Sequence, residues 1–240
     1  FGSFDTYRVT GAYVLENLIG SGDVKLRASY GTGAKAPGLY QLFDPVYGYS
    51  GLQVETSEGG DVGIDVNFGS AFSTQISYFF ARTNDEIAYD CANPKPGCYV
   101  NLGKTRKSGV EIAFELRPAE WLSFCQSLTY LEADQLTNPA TAVWTSLRRP
   151  EFAGSTSVTV KPVEQLSVTA RLRHRDRNAL SSFSPATKGY EVVDLLASFG
   201  ITDNIEVYGR VTNLFDKQYQ MAFGKNALGR SAYGGIRLTY

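Results

Sequence analysis

Along most of this chain apolar and polar residues take turns. Ile205, Val207, Gly209 and Val211 alternate with Glu206, Tyr208, Arg210 and Thr212, and Ile236, Leu238 and Tyr240 alternate with Arg237 and Thr239. A period of two puts each set on its own face of a β-sheet. The same rhythm starts near residue 6, where Val9, Gly11, Tyr13 and Leu15 are set against Arg8 and Thr10, and resumes in Val24, Leu26, Ala28 and Tyr30. It returns in Val62, Ile64, Val66 and Phe68, in Ile76, Tyr78 and Phe80, in Val110, Ile112, Phe114 and Leu116, and in Leu122, Phe124, Leu128 and Tyr130. Thr156, Val158 and Val160, then Leu166, Val168, Ala170 and Leu172, then Val193, Leu195, Ala197 and Phe199 complete the series. Almost nothing reads as helix, so the pattern predicts about eleven antiparallel strands.

The connections come in two kinds, in alternation. Short turns fall at 20–22, 69–70, 117–120, 162–164 and 202–204, and long loops at 31–60, 84–107, 132–150, 175–188 and after Asn213. A compact soluble domain has no reason to keep its long loops at one end and its short turns at the other. Outer-membrane barrels do, with short periplasmic turns and longer extracellular loops, an apolar outer face and a polar interior. In that orientation Tyr30, Phe80 and Tyr130 fall at outer strand ends, and Phe68, Phe72, Trp121, Phe199 and Tyr240 at inner ends, as two aromatic girdles. Asp65, Glu111, Glu115, Glu206, Arg27, Arg171, Arg173, Arg210 and Arg237 all fall on the lumen side. That spares the arginines a cost of about 2–4 kcal/mol each at mid-bilayer, and the carboxylates a smaller one. Gln126 breaks the rule by sharing the apolar face, and His174 falls outward near a strand end with no role assigned.

Composition sharpens this picture. The 240 residues carry 20% charged side chains and a net charge of -1, which gives no sign of a nucleic-acid binder. No run of 18 apolar residues marks a membrane helix, and a mean hydropathy of -0.19 suits strands that are wet on one side. Aromatic residues reach 13%, with 15 Tyr, a residue suited to membrane interfaces. The chain opens at Phe1 and is expected to be a processed or partial piece.

Candidate chemistry is sparse. Cys91 and Cys98 flank a polar Ala-Asn-Pro-Lys-Pro-Gly loop, for which a disulfide is the favoured reading and two free thiols or a metal pair the alternatives. A single His in the whole chain makes zinc a poor fit and leaves no nucleophile–His–acid set. There is no phosphate loop. Cys125, in mid-strand, is expected to be an inert packed thiol. No catalytic residue, metal ligand or cofactor is expected.

Five segments then resemble the TonB-dependent outer-membrane receptors. They are Ser29 through Phe43 (Ser-Tyr-Gly-Thr-Gly-Ala-Lys-Ala-Pro-Gly-Leu-Tyr-Gln-Leu-Phe, with Ala34 where the family carries an aromatic), Asn101 through Glu111, Leu147-Arg148-Arg149-Pro150, Asn213 through Tyr219, and Gly229-Arg230 ahead of a strand with a terminal aromatic. The siderophore and cobalamin receptor branch is the nearest in flavour. The resemblance implies a 22-stranded transmembrane β-barrel with a plugged lumen, of which 1–240 would be roughly the C-terminal half; an odd strand count does not close an ordinary bacterial barrel. The plug and the TonB box would lie upstream. It implies TonB-coupled import of a scarce bulky ligand (iron siderophore, cobalamin or similar) across the outer membrane of a Gram-negative bacterium. Expected partners are the TonB–ExbB–ExbD complex, the barrel-assembly machinery, which would read Gly235, Leu238 and Tyr240, and lipopolysaccharide. Tyr40, Phe43, Tyr47, Tyr49 and Trp144 are aromatic candidates for ligand contact or for packing of the loops on each other. Arg148 and Arg149 are candidates for an anionic chelate or a lipopolysaccharide phosphate, or for no more than a solvated strand end. The rival classes are a passive porin-like channel, an outer-membrane hydrolase and a soluble β-sandwich.

Overall fold

The computed structural model describes residues 2–19, 22–91, 97–138, 143–147, 149–177 and 185–239. Eleven long strands form one antiparallel sheet: β1 (Arg8–Ile19), β2 (Gly22–Lys35), β3 (Glu55–Phe68), β4 (Phe72–Asn84), β7 (Lys104–Ala119), β8 (Leu122–Asn138), β10 (Phe152–Val163), β11 (Leu166–Arg175), β12 (Tyr190–Thr202), β13 (Ile205–Thr212) and β16 (Ser231–Leu238). They pair strictly in chain order, and β9 (Val143–Ser146) adds a short strand beside β8. The long loops hold a five-residue helix, α1 (Leu39–Phe43), and two small hairpins, β5 (Ile87–Tyr89) with β6 (Tyr99–Asn101) and β14 (Gln220–Ala222) with β15 (Lys225–Asn226).

The register fixes which side chains share a face. Leu26, Ile64, Ile76, Ile112 and Leu128 lie in one cross-strand row. Lys25, Asp65, Gln75, Ala113, Ser127, Ser155 and Arg173 lie in the adjacent row on the opposite face. Among the described residues nothing covers the apolar face. Val9 is 66% exposed, Val62 55%, Ile236 66% and Leu238 69%. Among the described residues the buried apolar side chains are only Val24, Leu42, Leu52, Val100, Ala133 and Val192. A soluble sandwich of this length would seal its apolar faces between layers; here that face is left for lipid.

Three long loops are shorter than the alternation implies, because the strands run on. β2 reaches Lys35 and β3 begins at Glu55; β4 and β7 extend to Asn84 and back from Lys104; β8 continues to Asn138. Above the bilayer both faces of a strand are wet, so pairing persists while the apolar alternation stops.

The girdle positions meet across strands. Tyr7, Tyr30 and Phe80 form a chain of rings spaced 6.2 and 6.3 Å at the outer end, and Phe68 meets Phe72 at 6.2 Å across an inner turn. Gln126 on the apolar face stands directly opposite Thr156, whose hydroxyl donates to its Oε1 at 2.5 Å, so the two polar groups satisfy each other in lipid. Cys125 differs from expectation. It pairs with Ser157 and Glu115 on the lumen side, where small hydroxyl neighbours leave the free thiol half-buried in a groove.

Candidate functional site

Two regions on the inner side of the sheet carry the polar and aromatic chemistry: a stapled pair of outer loops and the strand wall below them.

The first loop begins with Pro37 and Gly38, which end β2 and start α1. The Gln41 side chain turns back to accept the Gly38 N–H at 2.8 Å, closing the first turn. Pro45 cannot continue the helix. Asp44 instead accepts the N–H groups of Val46 and Tyr47 at 3.0 and 2.7 Å, an Asx turn that aims Tyr47 at the second loop. The Tyr47 carbonyl then accepts the N–H groups of Cys98 and Tyr99 at 2.9 and 3.2 Å. Gly97, at φ 84°, lies against the Gly48 carbonyl, where a side chain has no room. Cys91 and Cys98 form a disulfide across this hairpin.

The second loop leans inward. Glu55, on the lumen side of β3, accepts the Ile87 N–H at 3.1 Å. Glu86 accepts from the Thr105 hydroxyl at 2.6 Å and pairs with Lys107 at 3.4 Å, both on the lumen side of β7. Asn101 ties the two loops, accepting the Gln53 N–H at 2.9 Å and donating to the Asp85 carbonyl at 2.6 Å. The hairpin is thereby tethered over the mouth of the lumen.

On this support sits a shelf of rings. Tyr40 meets Tyr99 edge-on at 6.2 Å, Tyr89 meets Tyr99 at 5.4 Å, and Tyr47 meets Tyr89 at 5.9 Å. They are partly open, with Tyr40 56% and Tyr89 52% exposed, and Leu39, Phe43 and Val46 are more so. Partial burial among these rings, then the Asp44 charge, raises the Tyr40 phenol above its ordinary pKa; burial, then the neighbouring phenols, does the same for Tyr89. Both therefore stay neutral donors at physiological pH.

The expected residues divide accordingly. Tyr40 and Tyr47 join the shelf, and Phe43 stands exposed beside it at the end of α1. Tyr49 is half-buried beneath the loop, its N–H bonded to the Gln41 carbonyl at 2.8 Å. Trp144 does not join them. It pairs with Leu136 on the outward face and stacks on the Arg106 guanidinium at 4.4 Å. Arg149 is exposed, while Arg148 and Tyr240 lie outside the described residues. Tyr89 and Tyr99 went unread in the sequence, although each lies just outside one end of the cysteine staple.

Below the shelf the inner face is a wall of compensated charge. Arg27 donates to Asp65 and Asp61 at 3.1 Å each and to the Ser77 hydroxyl, and Ser29 donates to Asp61. Arg173 donates to Asp194 at 3.1 Å through Nη2, with Nε 3.0 Å from the second oxygen but off the hydrogen-bonding angle. Arg237 donates to Glu206 at 2.7 Å. Toward the inner end these last groups border a groove of about 650 Å³ with Tyr208, Arg210 and Tyr233. Arg210 caps the Tyr233 ring at 4.6 Å. Gly235 lies against the Tyr208 ring, whereas Leu238 points to the outside. Among the described residues Glu111, Arg171 and Arg210 have no ionic partner.

The segment 213–230 is organised by one buried side chain. Asn213, at φ 52° and 3% exposed, donates through Nδ2 to the carbonyls of Lys217 and Leu228 at 2.9 and 3.3 Å and accepts the Lys217 N–H at 2.7 Å. Its own N–H donates to Asp194 at 2.9 Å. Asp216 accepts the Arg230 N–H at 2.8 Å, closing the loop. These residues build a loop rather than a ligand contact.

Residues 1–214 match the family model described as "TonB dependent receptor-like, beta-barrel". The chain is 28% identical over 218 residues to the vitamin B12 transporter BtuB of Vibrio cholerae, covering 88% of this chain and 34% of that protein. It is 26% identical over 239 residues to the BtuB of Photobacterium profundum, covering 97% and 37%. Among solved structures it superposes on the copper transporter OprC with a TM-score of 0.76 at 18% identity, over 90% of this chain and 37% of that one. It also superposes on a mutant of the ferric enterobactin receptor PfeA of Pseudomonas aeruginosa, solved in complex with enterobactin, with a TM-score of 0.70 at 20% identity, over 90% and 38%. The chain thus spans about a third of the length of the relatives it matches.

Proposed function

Because the chain belongs to the TonB dependent receptor-like β-barrel family, we propose that it forms the C-terminal part of the barrel of an outer-membrane active-transport receptor. The receptor imports a scarce, bulky ligand such as a cobalamin or an iron siderophore, with energy delivered by the TonB–ExbB–ExbD complex to a plug upstream of this segment. The ligand is cargo rather than a cofactor, and no covalent step is required. The observation that carries the reading is the two-faced sheet: an uncovered apolar face for lipid, and a polar inner face with an aromatic shelf tethered over its mouth. The free edges of β1 and β16 need partners in lipid, which the remaining strands of the barrel supply. During assembly the segment that carries Gly235, Leu238 and Tyr240 is offered to the barrel-assembly machinery.

The geometry suggests a division of labour. Partly exposed rings take up flat apolar ligand surface while their phenols supply hydrogen bonds. The paired charges of the wall leave few uncompensated groups to trap a passing ligand, so movement is limited by the plug.

Uptake of labelled cobalamin and of labelled ferric siderophores, in cells lacking other receptors for them, tests this with and without functional TonB. One of the two ligand classes should enter saturably, and only with TonB. Tyr47→Ala with Tyr89→Ala should raise the half-saturating concentration about tenfold, the equivalent of about 1.4 kcal/mol. Unsaturable uptake that ignores TonB would instead identify a passive channel.

A further inference from the structure

The ring shelf also carries a charge pattern. Tyr40, Tyr99, Tyr89 and Tyr47 form an unbroken series of ring contacts. Two of them are edge-on, at 84° for Tyr40 with Tyr99 and 77° for Tyr89 with Tyr99. In an edge-on pair one ring gives only its edge, so its negatively polarised faces stay free of that partner. Asp44 adds a full negative charge. Its Oδ1 is held by the Val46 and Tyr47 N–H groups, and its charge acts on the phenols of both Tyr40 and Tyr89. Among the described residues no cation pairs with Asp44.

Nothing in the two loops offsets this. Across 36–54 and 85–103 they hold four carboxylates, Asp44, Asp85, Glu86 and Asp90, against one base, Lys95, which lies outside the described residues. The lumen-side lysines of the flanking strands are already paired, Lys35 with Glu55 at 3.5 Å and Lys107 with Glu86 at 3.4 Å. The exposed Arg149 belongs to another loop, between β9 and β10. An anion at the shelf would meet ring faces and carboxylates of its own sign. A bare metal ion fares no better, since among the described residues no group of three His, Cys, Asp or Glu side chains could hold one. A bulky organic cation gains from the ring faces and from Asp44 together.

We infer that the shelf is a cation-selective recognition site, and that the ligand it takes presents a quaternary ammonium or similar organic cation to Tyr40, Tyr47, Tyr89 and Tyr99. The inference rests on the receptor reading and narrows it, because anionic chelates are then poor ligands for this site.

The test measures binding, without transport, to the whole receptor in a neutral detergent. Three probes of nearly one shape serve: choline, its uncharged isostere 3,3-dimethylbutan-1-ol, and the anion 3,3-dimethylbutanoate. Affinities are read by saturation-transfer NMR. Choline should bind about tenfold more tightly than the alcohol, from cation–π attraction at partly exposed rings plus one carboxylate. The anion should not bind. Asp44→Asn, whose amide oxygen still accepts the Val46 and Tyr47 N–H groups, should reduce the preference several-fold and leave the alcohol unchanged. Tyr89→Leu should also reduce it, and Tyr89→Phe, which keeps the ring, should restore it. Absent choline binding, equal affinity for choline and the alcohol, binding of the anion, or an undiminished preference in Asp44→Asn or Tyr89→Leu would each overturn the assignment. Heat-modifiable gel mobility confirms that each variant is folded, and the three-probe comparison on the parent decides alone if a variant does not assemble. Uptake that ignores TonB, with the choline preference intact, would remove the transport reading and leave the site. TonB-dependent uptake with no preference would remove only the site.

Discussion

Replacing Asn213 by Ala removes three hydrogen bonds at once and leaves an L-residue with a Cβ at φ 52°. The backbone donation to Asp194 survives, so the loss is confined to the loop that Asn213 organises. At about 1 kcal/mol net per hydrogen bond the three contribute roughly 3 kcal/mol. Lys217 and Leu228 are themselves exposed, so water recovers part of this once the loop opens. The left-handed conformation costs Ala about 1 kcal/mol more than Asn, which tolerates it. The sum is a local destabilisation of roughly 2–4 kcal/mol, equivalent to about 30- to 700-fold faster amide exchange across 214–230. Asn213→Gly loses the same bonds without the backbone penalty and should exchange several-fold more slowly than Asn213→Ala. Asn213→Asp keeps the acceptor for the Lys217 N–H but turns the donor into an oxygen facing two carbonyls beside Asp194, so it should not rescue. Hydrogen-exchange mass spectrometry of the receptor in detergent reads this directly. Exchange in Asn213→Ala within about threefold of the parent, or a protected Asn213→Asp, would show that the motif does not hold the loop.

Three further outcomes follow from the same geometry. Ile76→Arg puts a charge on the lipid face and should cost about 2–4 kcal/mol, whereas Ser127→Arg on the lumen face should assemble normally, as read by heat-modifiable mobility; equal defects would contradict the facing. Replacing both Cys91 and Cys98 with Ser opens a crosslink with a sequence separation of 7. In the chain-entropy model this is worth about 2–3 kcal/mol, so an external protease should cut within 85–103 faster while the strands stay resistant. The raised Tyr40 and Tyr89 phenols keep their protons to higher pH than a free tyrosine. Binding should therefore show no tyrosine ionisation between pH 6 and 9, and ultraviolet titration of Tyr40→Phe against the parent should place the lost phenolate signal above pH 10.

The alternation alone determined the eleven strands, the two faces and the side on which the long loops lie, since a period of two admits a single partition of residues between lipid and lumen. It also placed Arg27, Arg173, Glu206 and Arg237 inward, but not their partners. Those depend on the stagger between strands, which sets Lys25 opposite Asp65 and Glu206 opposite Arg237. Gln126 looked like an error in the pattern until the register put Thr156 across from it. Above the membrane the sequence fell silent, because a strand wet on both faces has no reason to alternate; the run-on of β2, β3, β7 and β8 had to be seen. Tyr40 and Tyr47 were legible as loop aromatics. Their union with Tyr89 and Tyr99 and the outward turn of Trp144 were not, because each depends on contacts between segments far apart in the chain, where solvent sets no pattern and only packing chooses the partner.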